Sequence, residues 1–339
     1  MDETKVRADR NRTLTVSKEE KALLIKQLVH LDDLRSGVDA TNRIINGDIL
    51  DVLPFIPDGI ADLIIADPPY NLSKNFNSSK FSAMSNDRYV DYIRSWLPLL
   101  CQKLKPNGTL YMCGDWKCSA AQQEAIAEEL TILNRITWQR EKGRGASSNW
   151  KNAMEDIWFA VKNEKDYYFD VDSVKMKRKV IAPYRENGKP KDWEETKDGN
   201  FRITFPSNFW DDISIPFWSM PENTDHPTQK PEKLMAKLIL ASSKPGDVVL
   251  DPFVGSGTTC VVAKKLGRNY IGIDLDEDYC TWGLKRLNMA DNDRDIQGYS
   301  GGYFWERNSL NLQTKEQKKG TRRSSAIVNP PQNLSNTLF

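Results

Sequence analysis

The strongest constraint in this chain is a strand–helix alternation that runs in two blocks, with a different kind of sequence between them. In the first block, residues 43–48 (RIINGD) and 62–67 (DLIIAD) are short apolar runs, each ending in an acid. Such runs, bounded by polar residues, read as buried strands. Residues 89–104 carry helical spacing, and Lys105-Pro106-Asn107-Gly108 is a breaker after them. Residues 109–113 read as a strand and 119–129 as a helix. Residues 132–139 and 156–162 read as a strand pair, separated by the Gly/Ser/Asn-rich stretch 143–149. In the second block a helix starts near Pro231, a residue suited to a first helical turn. Strand 247–251, a helix from about Gly257, strand 269–274 and helix 277–289 follow. Repeated alternation of this kind predicts an α/β fold, a parallel sheet with helices on both faces.

Open sheets of this class bind ligands outside the carboxyl ends of their strands. Asp48, Asp67, Asp251 and Asp274 each end an apolar run, so four acids are expected to crowd one sheet edge.

Between the blocks the character changes. Residues 174–191 carry Lys175, Lys177, Arg178, Lys179, Arg185, Lys189 and Lys191 against Glu186 alone, a net of +6. Residues 192–222 reverse the balance, seven acids against two bases, and gather aromatics such as Trp193, Phe201, Phe205, Phe209, Trp210, Phe217 and Trp218. This segment reads as an insertion. The whole chain has 48 basic and 47 acidic residues, a net of +1. That excludes a uniformly basic nucleic-acid binder but not a locally basic one. Upstream, Ser17 can cap a helix with Glu19 and Glu20 in its first turn. The spacing of Leu23, Leu24, Ile25, Leu28, Leu31 and Leu34 extends it to about Arg35, as a helix packed on the body or a dimer contact. Beyond Asn308 the chain is Gln/Lys/Ser/Asn-rich and reads as a disordered basic tail.

Several chemistries are excluded early. The five cysteines form no Cys-x-x-Cys pair and there are two histidines, so a zinc site of ordinary spacing has nothing to build on. No metal is expected. A charged N-terminus and an odd cysteine count point to a reduced, cytoplasmic setting, and no apolar run is long enough to span a bilayer. No Gly-x-Ser-x-Gly surrounds a serine, which disfavours a Ser-His-Asp hydrolase.

Three motifs carry the chemistry. Asp251-Pro-Phe-Val-Gly-Ser-Gly-Thr-Thr259 follows the strand Val248-Val249-Leu250. Gly255 and Gly257 allow a tight turn into a helix, and Asp274, at the end of the next strand, can bind ribose hydroxyls. The third glycine of a dinucleotide fingerprint is missing, and Asp251 precedes the turn. That acid repels pyrophosphate and favours a cationic amino-acid moiety, so the motif reads as a nucleoside site and disfavours a nicotinamide dehydrogenase. The second motif, Asp67-Pro68-Pro69-Tyr70, follows Leu63-Ile64-Ile65. Prolines lack N–H groups, so acceptors dominate here beside a flat ring, which suits an exocyclic amino group on a heterocycle. Taken alone, it reads equally as a rigid loop with a surface tyrosine. The third, His226-Pro-Thr-Gln-Lys-Pro231, leads into the helix before the first motif. It reads either as a proline-framed loop or as polar groups aimed at a carboxylate or ammonium.

In this order the motifs resemble the β group of DNA adenine-N6 amino-methyltransferases from bacterial restriction–modification systems: D-P-P-Y, then a recognition region, then F-x-G-x-G. The resemblance runs from about Arg43 to Leu287. It implies an S-adenosylmethionine-dependent, Rossmann-like α/β fold: a mixed seven-stranded sheet with one antiparallel strand near the edge, a permuted motif order and a target-recognition insertion. It implies S-adenosylmethionine as cofactor, with Asp251, Phe253, Gly255, Ser256 and Gly257 on its methionine and sugar side. Asp274 would hold the ribose and Asp48 would lie near the adenine. Thr228, Gln229 and Lys230 would contact the methionine part. Asp67, Pro68, Pro69 and Tyr70 would be catalytic. Double-stranded DNA would meet Lys175, Lys177, Arg178, Lys179 and Arg144. The implied division is an extension over 1–41, a catalytic half over 42–165, a recognition insertion over 166–222, a cofactor half over 223–308 and a tail over 309–339. A homodimer, a cognate restriction endonuclease acting at the same site, and a nucleoid location in a bacterial cytoplasm are further expectations. A cytosine-N4 methyltransferase of the same fold is the nearest alternative, though that family more often has Ser in place of Asp67. An enzyme acting on RNA or a small molecule, and an inactive DNA-specificity subunit, are more distant.

Overall fold

The computed structural model describes residues 8–75, 80–140, 148–180, 184–197, 199–307, 309 and 313. Arg144, most of the stretch 143–149 and nearly all of the tail lie outside the described residues. The strands of two sheets are β1 (Val29–His30), β2 (Arg43–Asn46), β3 (Ala61–Ala66), β4 (Leu104–Gly114), β5 (Thr131–Gln139), β6 (Met154–Val161), β7 (Met176–Lys179), β8 (Glu194–Thr196), β9 (Gly199–Thr204), β10 (Phe209–Trp210), β11 (Val248–Asp251), β12 (Asn269–Asp274), β13 (Tyr299–Ser300) and β14 (Tyr303–Trp305). The helices are α1 (Lys18–Ile25), α2 (Leu31–Arg35), α3 (Ile49–Val52), α4 (Asn86–Gln102), α5 (Ser119–Glu129), α6 (Glu232–Ser242), α7 (Thr258–Lys265) and α8 (Glu277–Met289).

The main sheet has the order β1-β2-β12-β11-β3-β4-β6-β5-β10. β6 is antiparallel to both β4 and β5, and the other pairings are parallel. The expected mixed seven-stranded sheet is present, and the two-residue strands β1 and β10 extend it to nine. Along β3 the side chains alternate between two cores. Leu63 and Ile65 join α6, α7 and α8 on one face, while Ile64 and Ala66 join α4 and α5 on the other. A strand covered on both faces must be apolar throughout, as the Leu-Ile-Ile run is.

The insertion contributes β7, β8 and β9 to a second sheet of order β8-β9-β7-β14-β13. Its other two strands come from residues far along the chain. Helix α6 is buried along its whole length. Its lysines are neutralised rather than solvated: Lys237 pairs with Asp212 at 2.8 Å and Lys233 with the same carboxylate at 2.5 Å. Lys237 also lies over Trp210, 4.8 Å away in the main sheet, and Phe304, 5.5 Å away in the second sheet.

Two local expectations are corrected. The helix expected from the Ser17 cap to about Arg35 is broken into α1 and α2. Ser17 does cap α1, accepting from the Glu20 N–H at 3.2 Å. His30, however, is extended, donates its N–H to Asp33 at 2.8 Å and pairs with Asn46 in the sheet. α1 packs on α8, tied by Lys21–Asp278 at 2.5 Å and Lys285–Glu20 at 2.7 Å. Residues 105–108 belong to β4, not to a breaker loop. The β3–β4 register shifts between Ala61 and Leu63, which accommodates them. All five cysteines are buried and free. Among the described residues no helix is long and apolar enough to cross a membrane.

Candidate active site

At the carboxyl edge of the main sheet, where β2, β3, β11 and β12 end, lies a cavity of about 390 Å³. Of the sequence-predicted residues, Asp48, Asp67, Pro68, Pro69, Tyr70, Thr228, Lys230, Phe253, Gly255 and Asp274 line it. Asp251, Ser256 and Gln229 line a smaller pocket that adjoins it and shares Asp67, His226, Thr228, Lys230, Phe253 and Gly255 with it, while Gly257 lines neither. Asp251 lies behind the turn and accepts the Phe253 N–H at 3.0 Å. The Ser256 carbonyl accepts from Arg286 at 2.9 Å within the protein. Gly257 has φ +82°, and a Cβ there would stand 2.6 Å from the Gly283 Cα. That glycine is demanded by the backbone and by the approach of α7 to α8. Gln229 accepts from the Thr224 N–H at 2.8 Å and donates to the Glu222 carbonyl at 2.6 Å, which fixes the loop before α6.

Gly255 (φ +51°) turns the chain beneath His226, whose Nε2 would stand 3.0 Å from an added Cβ. The Gly255 N–H donates to Asp274 Oδ2 at 2.8 Å, and the Asp276 N–H donates to Oδ1 at 2.9 Å. These bonds orient the Asp274 carboxylate at the end of β12. Burial nevertheless pushes Asp274 up to about 6 and Asp251 up to about 7. Asp48 caps α3 through the Leu50 N–H at 2.8 Å. Phe253 meets Trp96 edge-on, with ring centroids 5.1 Å apart.

The D-P-P-Y segment forms the opposite wall. The Tyr70 hydroxyl lies 2.9 Å from Asp67 Oδ1, and Lys230 Nζ donates to Asp67 Oδ2 at 2.5 Å. Lys230 also lies 5.2 Å from the Tyr70 ring centroid. Lys230 therefore lines the cavity with its ammonium on Asp67. The Tyr89 hydroxyl donates to the Pro69 carbonyl at 2.8 Å, so that acceptor is already in use. His226 packs on Tyr279 with centroids 4.3 Å apart and accepts the Thr228 N–H at Nδ1, 3.3 Å away. Burial pushes His226 down to about 4, which keeps its ring neutral.

Sequence reasoning missed Glu155, Arg140, Lys74 and Tyr279. Glu155 is buried beside Tyr70 and Lys230, and Arg140 binds it at 2.6 Å. Arg140, Lys74 and Tyr279 line the cavity.

Residues 61–285 match the N6/N4 family model described as DNA methylase. The chain belongs to this DNA methylase family. The methylase is 35% identical over 269 residues to the Escherichia coli (strain K12) DNA adenine methyltransferase YhdJ, covering 76% of this chain and 88% of the relative. It is 33% identical over 255 residues to the type II methyltransferase M.HpaI of Haemophilus parainfluenzae, covering 75% and 76%. Its fold is similar to that of a crystallised M1.HpyAVI–SAM complex, with a TM-score of 0.51, 23% identity, and coverage of 72% of this chain and 98% of that one.

The methylase's basic run is more constrained than its sequence implies. Lys175 pairs with Asp172 at 2.7 Å. Lys177 lies over Trp305 at 4.7 Å and Phe201 at 5.3 Å. Arg178 is half-buried on β7, and Lys179 is exposed. The acidic half folds back on the basic half: Arg185 meets Glu195 at 3.2 Å, and β9 pairs antiparallel with β7.

Proposed function

We propose that this methylase transfers a methyl group from S-adenosylmethionine to the N6 amino group of adenine at a short duplex site. The 390 Å³ cavity is of ligand size; Asp48, Asp274 and Asp276 give it an acidic side suited to a cationic ligand, while Lys74, Arg140 and Lys230 lie with Asp67 on the D-P-P-Y side. Bound there, S-adenosylmethionine supplies an electrophilic methyl on a sulfonium centre. Asp274 receives the ribose hydroxyls. Asp48 and Phe253 take the adenosine end, and Thr228 takes the methionine end. Asp251 contributes negative charge behind the Phe253–Gly257 turn. Gln229 acts indirectly, by fixing the loop that carries Thr228 and Lys230.

An adenine amino nitrogen is a poor nucleophile because its lone pair is delocalised into the ring. The base must leave the stack to reach the cavity. Tyr70 stacks on it, a contact worth about 1–3 kcal/mol in single-strand binders. Asp67 and the Pro68 carbonyl accept the two amino hydrogens, which localises the lone pair, and positioning with electrostatics supplies the rate. The nitrogen gives up one proton on methylation, and Asp67 is the nearest acceptor for it.

Residues 42–165 and 223–308 are the two halves of the catalytic domain, and 166–222 recognises the target. Lys179 and its neighbours on β7 meet phosphates. Similarity to a type II methyltransferase supports a role in protecting host DNA from a cognate endonuclease.

The observation that carries this reading is that Asp67 and Asp274 line one cavity, so the amino acceptors and the nucleoside acid face the same space. Asp67→Ala tests it. Methyl transfer to unmethylated DNA, followed with labelled cofactor, is expected to vanish while the cofactor dissociation constant stays within about twofold. Full activity in the variant would remove Asp67 from the mechanism.

A further inference from the structure

We propose that Glu155 is a positioning residue for methyl transfer: it receives the Tyr70 hydroxyl and Lys230 when the target amino group takes their place on Asp67. This rests on the D-P-P-Y reading above. In the free protein both oxygens of Asp67 are engaged, Oδ1 with Tyr70 at 2.9 Å and Oδ2 with Lys230 at 2.5 Å. An arriving amino group needs those same lone pairs. Lys230 is 7% exposed and cannot simply turn to water. Stranding a buried ammonium and a buried hydroxyl is costly.

Glu155 supplies the second berth. It is the second residue of β6, the one reversed strand of the main sheet, so it starts where the parallel strands end. It is 3% exposed. Its Oε2 lies 3.1 Å from the Tyr70 hydroxyl and 3.5 Å from Lys230 Nζ, while Arg140 holds Oε1 at 2.6 Å. One hydroxyl hydrogen cannot serve both Asp67 and Glu155. Rotation about the C–O bond of Tyr70 chooses between acceptors at nearly equal distance. Two carboxylates balance two cations before and after the exchange, so no net charge is uncovered. Against the cost of burial, Asp67 and Glu155 together hold Lys230 above its ordinary value, so it stays charged throughout.

The test is Glu155→Gln in the full chain, which keeps the shape and removes the charge. The single-turnover methylation rate is expected to fall at least tenfold, with the cofactor dissociation constant and melting temperature nearly unchanged. In a Tyr70→Phe background, which lacks the hydroxyl to be exchanged, the same substitution should cost clearly less. A wild-type rate in Glu155→Gln overturns the proposal. So does a loss that is additive with Tyr70→Phe, or one that tracks cofactor affinity and melting temperature. If the glutamine variant does not fold, Glu155→Asp is read instead, with the same slower rate at unchanged cofactor affinity expected and a wild-type rate overturning the idea. A wild-type protein that methylates no DNA would instead sink the functional reading itself.

Discussion

Cofactor affinity should rise with pH across the range in which two acids at the sheet edge ionise. Burial pushes Asp251 up to about 7 and Asp274 up to about 6, from an ordinary 3.8. A cationic ligand favours the carboxylate form of each. By linkage, the apparent dissociation constant weakens by 1 + 10^(pKa − pH) for every acid that must be ionised. At pH 8 both factors are close to one. At pH 6 they are about 11 for Asp251 and about 2 for Asp274. The product, roughly 20-fold, is an upper bound because neighbouring acids titrate together. S-adenosylmethionine is therefore expected to bind about 10- to 20-fold more weakly at pH 6 than at pH 8. Calorimetric titration at fixed ionic strength measures this directly. Repeating it in buffers of different ionisation heat should show about half a proton released from Asp251 at pH 7. Asp251→Asn should bind weakly at every pH and lose the steeper part of the slope. A flat profile, or tighter binding as pH falls, would refute the idea that buried carboxylates receive the cation. The same shifts set the sign for folding. Between the unfolded and folded values the native chain holds protons that the unfolded chain has released. The contribution of these two acids to stability is therefore lost as pH rises toward 7, and bound cofactor should restore it.

Two further outcomes rest on particular neighbours. Gly257→Ala puts a Cβ 2.6 Å from the Gly283 Cα at φ +82°, so thermal unfolding should show a loss of about 2–4 kcal/mol; an unchanged melting temperature would mean that α7 and α8 do not approach closely. Replacing Lys175, Lys177, Arg178 and Lys179 by glutamine should flatten the salt dependence of DNA binding by about 0.9 for each phosphate that is no longer neutralised. Because Lys175 and Lys177 are already engaged within the protein, the slope should change by the equivalent of about one or two phosphates rather than one for every residue replaced.

The carboxyl edge of the sheet was legible because parallel strands announce their ends. Asp67 and Asp274 terminate apolar runs, and both line the cavity. Glu155 was not legible for the same reason in reverse. It opens an apolar run, and only the antiparallel course of β6 brings a strand's beginning to that edge. Nothing in the local pattern of residues 154–161 states their direction. Lys230 was found by its motif and lines the cavity, but its pairing with Asp67 was not legible, because the two lie 163 residues apart in sequence. Charge along the insertion misled in a further way. A basic run followed by an acidic one reads as segregated, yet antiparallel pairing lays β9 beside β7 and brings Glu195 against Arg185. Strands β13 and β14 join the second sheet across more than ninety intervening residues, a separation that periodicity does not encode.

The methylated amino group is assigned to adenine, within a family whose model spans both N6 and N4 amino targets. Digesting DNA methylated by the purified protein to nucleosides, and identifying the modified one by chromatography and mass, tests that assignment most directly. N6-methyladenine as the sole product is the predicted result. N4-methylcytosine, or no modified nucleoside, would contradict it.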